Sequence, residues 1–195
     1  METANNTKRQ LDMNVEYIYR YYPARIRNVG EDAADARELI WAFKDAVCNA
    51  FEEVALRVSE CLADTYGNKV KDMVLVCIPT SVKSDYEKRF CAFCQRVSEL
   101  SGIGNGFAHI CVLGDREAVH KHRRGTKKKD IQFQQIDIDA GYFKGKEVCV
   151  FDDIITTGKS YADFSNMLEN AGANVVGGVF LGKTFYKYRY YDVQD

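Results

Sequence analysis

The chain has 195 residues, 46% of them hydrophobic and 28% charged, with a formal net charge of −1. That size and apolar content suit one domain with a sizeable core, and so even a charge balance excludes a global attraction to nucleic acid or to an anionic membrane. No apolar run approaches the ~18 residues of a membrane span, and residues 1–9 lack the apolar core of a signal peptide, so a cytoplasmic protein is expected.

Residues 1–30 read as irregular, with the aromatic cluster Tyr17, Tyr19, Tyr21 and Tyr22 leading into Pro23. A long helix is predicted over 31–66. Its acidic start, Glu31, Asp32 and Asp35, suits a helix amino terminus, and Leu39, Ile40, Phe43, Val47, Phe51, Val54 and Val58 recur at helical spacing as a packing face. The apolar run 73–78 predicts a buried strand, stopped by Pro79. The turn Pro79-Thr80-Ser81-Val82-Lys83 then leaves the carboxyl end of that strand with hydroxyls, amides and a cation. It fits a diphosphate cradle, with Lys88 and Arg89 as further cations, and it fits equally an ordinary helix cap by Ser81 or Ser84.

A helix is predicted over 84–101, then a glycine-rich turn at Gly102-Ile103-Gly104-Asn105-Gly106, then a strand over 108–113. The glycines lie between helix and strand, which is the wrong order for a dinucleotide loop. Residues 115–130 carry Arg116, Lys121, Arg123, Arg124, Lys127, Lys128 and Lys129 against three acids. Such a run reads as a solvated loop, and without interleaved aromatics it makes nucleic-acid contact a weak reading. Strands over 147–152 and 174–181, joined by a helix from Ser160 to about Ala171, complete a βαβ series, so a mainly parallel sheet flanked by helices is expected.

The most informative stretch is Val148-Cys149-Val150-Phe151-Asp152-Asp153-Ile154-Ile155-Thr156-Thr157-Gly158-Lys159-Ser160. A buried strand ends there in two carboxylates and a hydroxyl-rich turn that opens a helix. Helix amino termini present free N–H groups to anions, and in α/β sheets ligands bind beyond the carboxyl ends of the strands. Bare carboxylates repel phosphate, so the pair makes sense beside it when the ligand also offers hydroxyls. A phosphorylated sugar does so: Asp152 and Asp153 accept from vicinal ribose hydroxyls, while the amides and hydroxyls of Thr156, Thr157 and Ser160 hold a terminal phosphate.

These residues resemble the 5-phosphoribosyl-1-pyrophosphate (PRPP) motif of the type I phosphoribosyltransferases. The resemblance implies a Rossmann-like core over 67–195, with 1–66 as an amino-terminal helical hood and a homodimer as the expected assembly. It assigns Asp152 and Asp153 to the ribose hydroxyls and Thr156, Thr157, Gly158, Lys159 and Ser160 to the 5′-phosphate. Thr80, Ser81 and Lys83 correspond to the loop that binds pyrophosphate, and the basic segment, with Arg123, Arg124 and Lys127, to a lid that closes over PRPP. The activity implied is transfer of ribose 5-phosphate to a nitrogenous acceptor, with Mg²⁺ carried mainly by the substrate. The alternative is a PRPP- or nucleotide-binding regulator without turnover, or a ComF-like protein of nucleic-acid uptake.

Two P-loop readings fail. Gly158-Lys159-Ser160 has Asp153 where the first glycine is required, and Gly177-Gly178-Val179-Phe180-Leu181-Gly182-Lys183-Thr184 is followed by an aromatic tail instead of a helix, so it reads as a strand. Cys91 and Cys94 have metal-like spacing without a second pair, and the seven cysteines of the chain suit a reducing compartment. Family members that act on 6-oxopurines commonly carry an aspartate where this chain has Thr156, which argues against that acceptor. Thr156-Thr157-Gly158 is closer to the ComF type, whose zinc-binding amino-terminal module is absent here. Tyr186, Tyr188, Tyr190 and Tyr191 in the tail are candidates for base stacking or for packing against the amino-terminal segment.

Overall fold

The computed structural model describes residues 2–47, 49–113 and 136–188. Along the chain come α1 (Glu2–Leu11), β1 (Asn14–Tyr21), α2 (Glu31–Lys44), α3 (Ala50–Tyr66), β2 (Met73–Cys77), α4 (Lys83–Ser101), β3 (Gly104–Asn105), β4 (Ile110–Val112), β5 (Ile136–Ile138), α5 (Ala140–Phe143), β6 (Glu147–Ile155), α6 (Lys159–Asn170) and β7 (Asn174–Thr184). The fold is α/β: five parallel strands in the order β1-β7-β6-β2-β3, flanked by helices, an arrangement compatible with a Rossmann-like fold. No helix among the described residues is long and apolar enough to cross a membrane.

The apolar runs become the middle of this sheet because their backbones are paired on both sides and their side chains are covered on both faces. Val148, Cys149, Val150 and Phe151 are fully enclosed, as are Leu75, Val76 and Cys77. On one face Phe151 meets Phe93 at 4.5 Å and Phe43 at 5.9 Å between ring centroids, which ties α2, α4 and β6 together. On the other face Tyr161 of α6 stands edge-on to Phe180 of β7 at 5.4 Å. Each such buried ring contributes about 1.5–3 kcal/mol through the apolar area it removes from water.

Three sequence expectations are corrected. Residues 1–30 are not irregular throughout: they contain α1 and an eight-residue strand, β1, paired in parallel along β7 from Asn14↔Gly177 to Tyr21↔Thr184. The aromatic and β-branched residues of 15–21 fit a half-buried pleat, with Val15, Tyr17, Tyr19 and Tyr21 alternating with Glu16 and Arg20 and the alternation interrupted at Ile18. Residues 2–66 therefore supply an edge strand of the sheet as well as helices.

The helix expected over 31–66 is broken into α2 and α3 by Ala46 and Asn49, both at positive φ, +51° and +69°. Neither glycine nor proline marks this break. Each helix buries its own apolar stripe, Ile40 and Phe43 on α2 and Val54, Val58 and Leu62 on α3. Val47, counted in the expected stripe, is 54% exposed at the break.

The strand expected over 108–113 does not join the sheet. Gly104 and Asn105 pair with Val74 and Leu75 instead, and β4 forms a separate antiparallel ribbon with β5. Gly106 allows this close approach, since a Cβ there would stand 2.8 Å from the Leu75 carbonyl oxygen and 2.7 Å from Val76. The ribbon brackets residues 114–135; the lid candidates Arg123, Arg124 and Lys127 lie outside the described residues.

Candidate functional site

Strand order reverses between β2 and β6. From β2 the chain moves to β3 on one side, and from β6 to β7 on the other, so the crevice at the carboxyl ends of β2 and β6 is the topological switch point of the sheet. The two segments singled out from sequence, 79–83 and 152–160, leave these two neighbouring strands. Pairing continues past β2 through Ile78, whose N–H donates to the Phe151 carbonyl oxygen at 2.9 Å.

A cavity of about 110 Å³ lies at this edge, lined by Ile78, Asp152, Ile154, Ile155, Thr156, Thr157, Gly158, Lys159, Ser160, Tyr161 and Phe180. Six of the seven residues assigned to ribose 5-phosphate line it together, and the seventh, Asp153, does not. Gly158 adopts φ +74° and ψ +4° as the residue capping α6, a left-handed conformation that favours glycine, and no side chain caps the helix there. The first amides of α6 therefore face the cavity mouth as anion donors, with the Lys159 N–H 3.4 Å from the Thr157 hydroxyl. The Lys159 ammonium is turned along the helix to Asp163 at 2.7 Å, so its contribution at the turn is its amide. Thr156 shares a hydroxyl–hydroxyl hydrogen bond of 2.9 Å with Thr184 of β7.

The two carboxylates separate by strand geometry. Successive side chains on β6 point to opposite faces, so Asp152 lies level with Phe180 on the α6 side, while Asp153 lies on the α4 side, 7% exposed. There it accepts from the Arg89 Nη1 at 3.1 Å. Arg89, read from sequence as a further cation for a diphosphate, is here the ion-pair partner of Asp153. Back across the strand, the Asp153 N–H donates to Asp152 Oδ1 at 2.9 Å. Burial, reinforced by the charge of Asp153, pushes the Asp152 carboxyl well above the ordinary carboxylate range, with Arg89 and Lys44 pulling the other way. Lys44, at the end of α2, had no signal in the sequence.

The 79–83 turn is not capped by Ser81 or Ser84. Val82 takes the cap position of α4 without a side-chain bond, and the Thr80 hydroxyl donates to the Val82 carbonyl oxygen at 2.8 Å. Ser81 and Lys83 are exposed at the turn. Two helices, α4 and α6, thus open without side-chain caps at the ends of adjacent strands.

One strand further, the register Tyr21↔Thr184 brings the aromatic cluster and the tail to the same sheet edge. Phe185 packs between Tyr17 and Tyr22, and Tyr188 stands edge-on to Tyr22 at 5.1 Å. Tyr186 is 53% exposed, with the Arg25 guanidinium 5.2 Å from its ring. Tyr190 and Tyr191 lie outside the described residues.

Cys91 is exposed on α4 while Cys94 is buried on it, 3.3 Å from the sulfur of Cys77. Among the described residues no group of three or more His, Cys, Asp or Glu side chains is placed to hold a metal ion. No protein-family model matches the sequence, and no curated protein matches it.

Proposed function

We propose that the protein binds PRPP at the carboxyl edge of β2 and β6 and transfers its ribose 5-phosphate to a nitrogenous acceptor, releasing pyrophosphate. The observation that carries this reading is the cavity in which a carboxylate, Asp152, lines the same wall as the uncapped amino terminus of α6. A phosphate alone would not recruit Asp152. A ligand with both a phosphate and neighbouring hydroxyls uses both.

In this reading the amides at 158–161 and the hydroxyls of Thr157 and Ser160 hold the 5′-phosphate, and Asp152 accepts from a ribose hydroxyl. Asp153, braced by Arg89, orients Asp152 through its amide. The turn at Thr80, Ser81 and Lys83 receives the diphosphate at the opening of α4. The C1′–O bond to pyrophosphate breaks as the acceptor nitrogen bonds to C1′, and the bonding pair leaves with the diphosphate. The protein positions both partners, and no covalent nucleophile is required. Mg²⁺ prefers phosphate oxygens with one or two carboxylates, and Asp152 offers one such ligand; when bound, the ion neutralises charge on the leaving group. The exposed face of Tyr186, one strand beyond Thr156, supplies a ring for a planar acceptor.

The test is pyrophosphate release from PRPP and Mg²⁺ with a panel of nucleobases, alongside calorimetric titration of PRPP. Turnover with one base, and loss of roughly ten- to a hundredfold in PRPP affinity in Asp152→Asn/Asp153→Asn, are expected, because each hydrogen bond to a charged group contributes about 1.5–3 kcal/mol. Unchanged affinity in that double variant refutes the assignment. Tight binding without release for any base identifies a regulator.

A further inference from the structure

The phosphate turn has a neighbour that no sequence signal marked. A Cβ on Gly158 would stand 2.6 Å from Leu11 Cδ2 and 2.9 Å from its Cδ1, so the last residue of α1 covers the left-handed glycine of the turn. Further back on α1, two side chains anchor it along α6. Arg9 donates to Asn166 at 3.0 Å and forms an ion pair with Glu169, and the fully buried Gln10 donates to Asn166 at 3.2 Å and to Glu169 at 3.1 Å. The attachment is specific and also incomplete: Gln10 Oε1 is buried without a hydrogen-bond partner, and the Arg9 side chain is 55% exposed, where salt screens its charge.

We propose that α1 is a clamp on the anion turn, with Leu11 as the positioning residue that holds Gly158 and the first turn of α6 in their binding geometry. This deepens the PRPP reading by assigning a control element to the same site. The physical argument is linkage. Docked α1 favours the ordered turn, and a phosphate ester that needs the ordered turn must in return favour docked α1. The orphaned acceptor on Gln10 works against docking, so the clamp is balanced closely enough for a ligand to shift it. A wall of the same chain that merely filled space would show no such reciprocity.

The experiment compares wild type, Leu11→Ala, Leu11→Met and Arg9→Ala by amide hydrogen exchange and by titration with ribose 5-phosphate. The amide of Ala162, which donates to the Gly158 carbonyl oxygen at 2.9 Å, reports the turn without any ligand. In Leu11→Ala this amide and its neighbours at 163 and 164 are expected to exchange about fivefold faster or more, while β2 keeps its protection, and the dissociation constant for ribose 5-phosphate rises by about fivefold or more. Leu11→Met restores both, and Arg9→Ala reproduces part of the loss, most clearly at high salt. In wild type, ribose 5-phosphate slows exchange across residues 6–11. If the wild-type protein binds no ribose 5-phosphate, the PRPP reading fails, and exchange at Ala162 still decides the clamp. Unchanged exchange at Ala162 in Leu11→Ala overturns the clamp whatever the ligand result. A general loss of β2 protection in Leu11→Ala passes the decision to Arg9→Ala, whose unchanged exchange at Ala162 overturns it as well.

Discussion

Replacing Arg89 with methionine should uncover how much the site depends on a pair hidden behind it. Arg89 and Asp153 meet at 3.1 Å with side chains only 14% and 10% exposed. Methionine keeps most of the apolar stem and removes the charge, so Asp153 is left enclosed with no cation in reach of a hydrogen bond. Breaking a buried pair from one side costs about 3–5 kcal/mol, against a total stability of about 5–15 kcal/mol for a typical domain. For a chain of this length that corresponds to a melting temperature lowered by about 6–20 °C. Urea and thermal unfolding of Arg89→Met, Asp153→Asn and the double variant form the assay. Asp153→Asn in the Arg89→Met background should recover at least about half of the loss, because it removes the stranded charge and keeps the shape. A surface pair would instead be worth about 0–1 kcal/mol. A loss below about 1 kcal/mol in Arg89→Met, or no recovery in the double variant, refutes the argument that this pair braces the site.

Asp152→Asn should weaken ligand binding while stabilising the fold near neutral pH. The folded chain holds the Asp152 proton more tightly than the unfolded chain, so wild-type stability falls as pH rises above 3.8, and the variant escapes that loss. Melting curves of both proteins from pH 4 to pH 8 should diverge with rising pH; parallel curves contradict the raised carboxyl. Gly106→Ala should cost about 1–3 kcal/mol, since its methyl group would meet the Leu75 backbone oxygen at 2.8 Å and cannot displace it cheaply. A neutral result by chemical denaturation would mean that β3 can move away from β2. At the base of the β4–β5 ribbon, the hydrogen bond from His109 at 2.9 Å holds Asp139 below its ordinary value, helped by the Tyr142 amide. Asp139 therefore adds stability above 3.8 that is lost as pH falls through its lower folded value. In His109→Gln, its NMR titration midpoint should move up toward 3.8, and an unmoved midpoint removes the histidine from the account.

Much of the sheet was legible because a central parallel strand must be apolar along its whole length. The runs 73–78 and 148–151 state that condition outright, and Pro79 marks the end of the first, whereas β6 continues past the two carboxylates to Ile155. The edge strand β1 was hidden for the converse reason. Its alternation of Val15, Tyr17, Tyr19 and Tyr21 with Glu16 and Arg20 is interrupted by Ile18 and spans only eight residues with half-exposed side chains, so it reads as an aromatic cluster instead of a strand. The ribbon β4–β5 misled because Ile110-Cys111-Val112 looks like any short strand, and a strand's partner is not written in its own residues.

The amino-acid sequence by itself determined that residues 156–160 form a turn between a buried strand and a helix, since continuous apolar character, a glycine and a helix start are local properties. Tertiary structure alone decided what surrounds that turn. The alternation of β6 sends Asp152 to the cavity and Asp153 to Arg89, the strand order places the 79–83 turn on the neighbouring strand, and Leu11 arrives over Gly158 from the far end of the chain. Contacts between residues this distant in the chain depend on the whole sheet being assembled, so no window of sequence contains them.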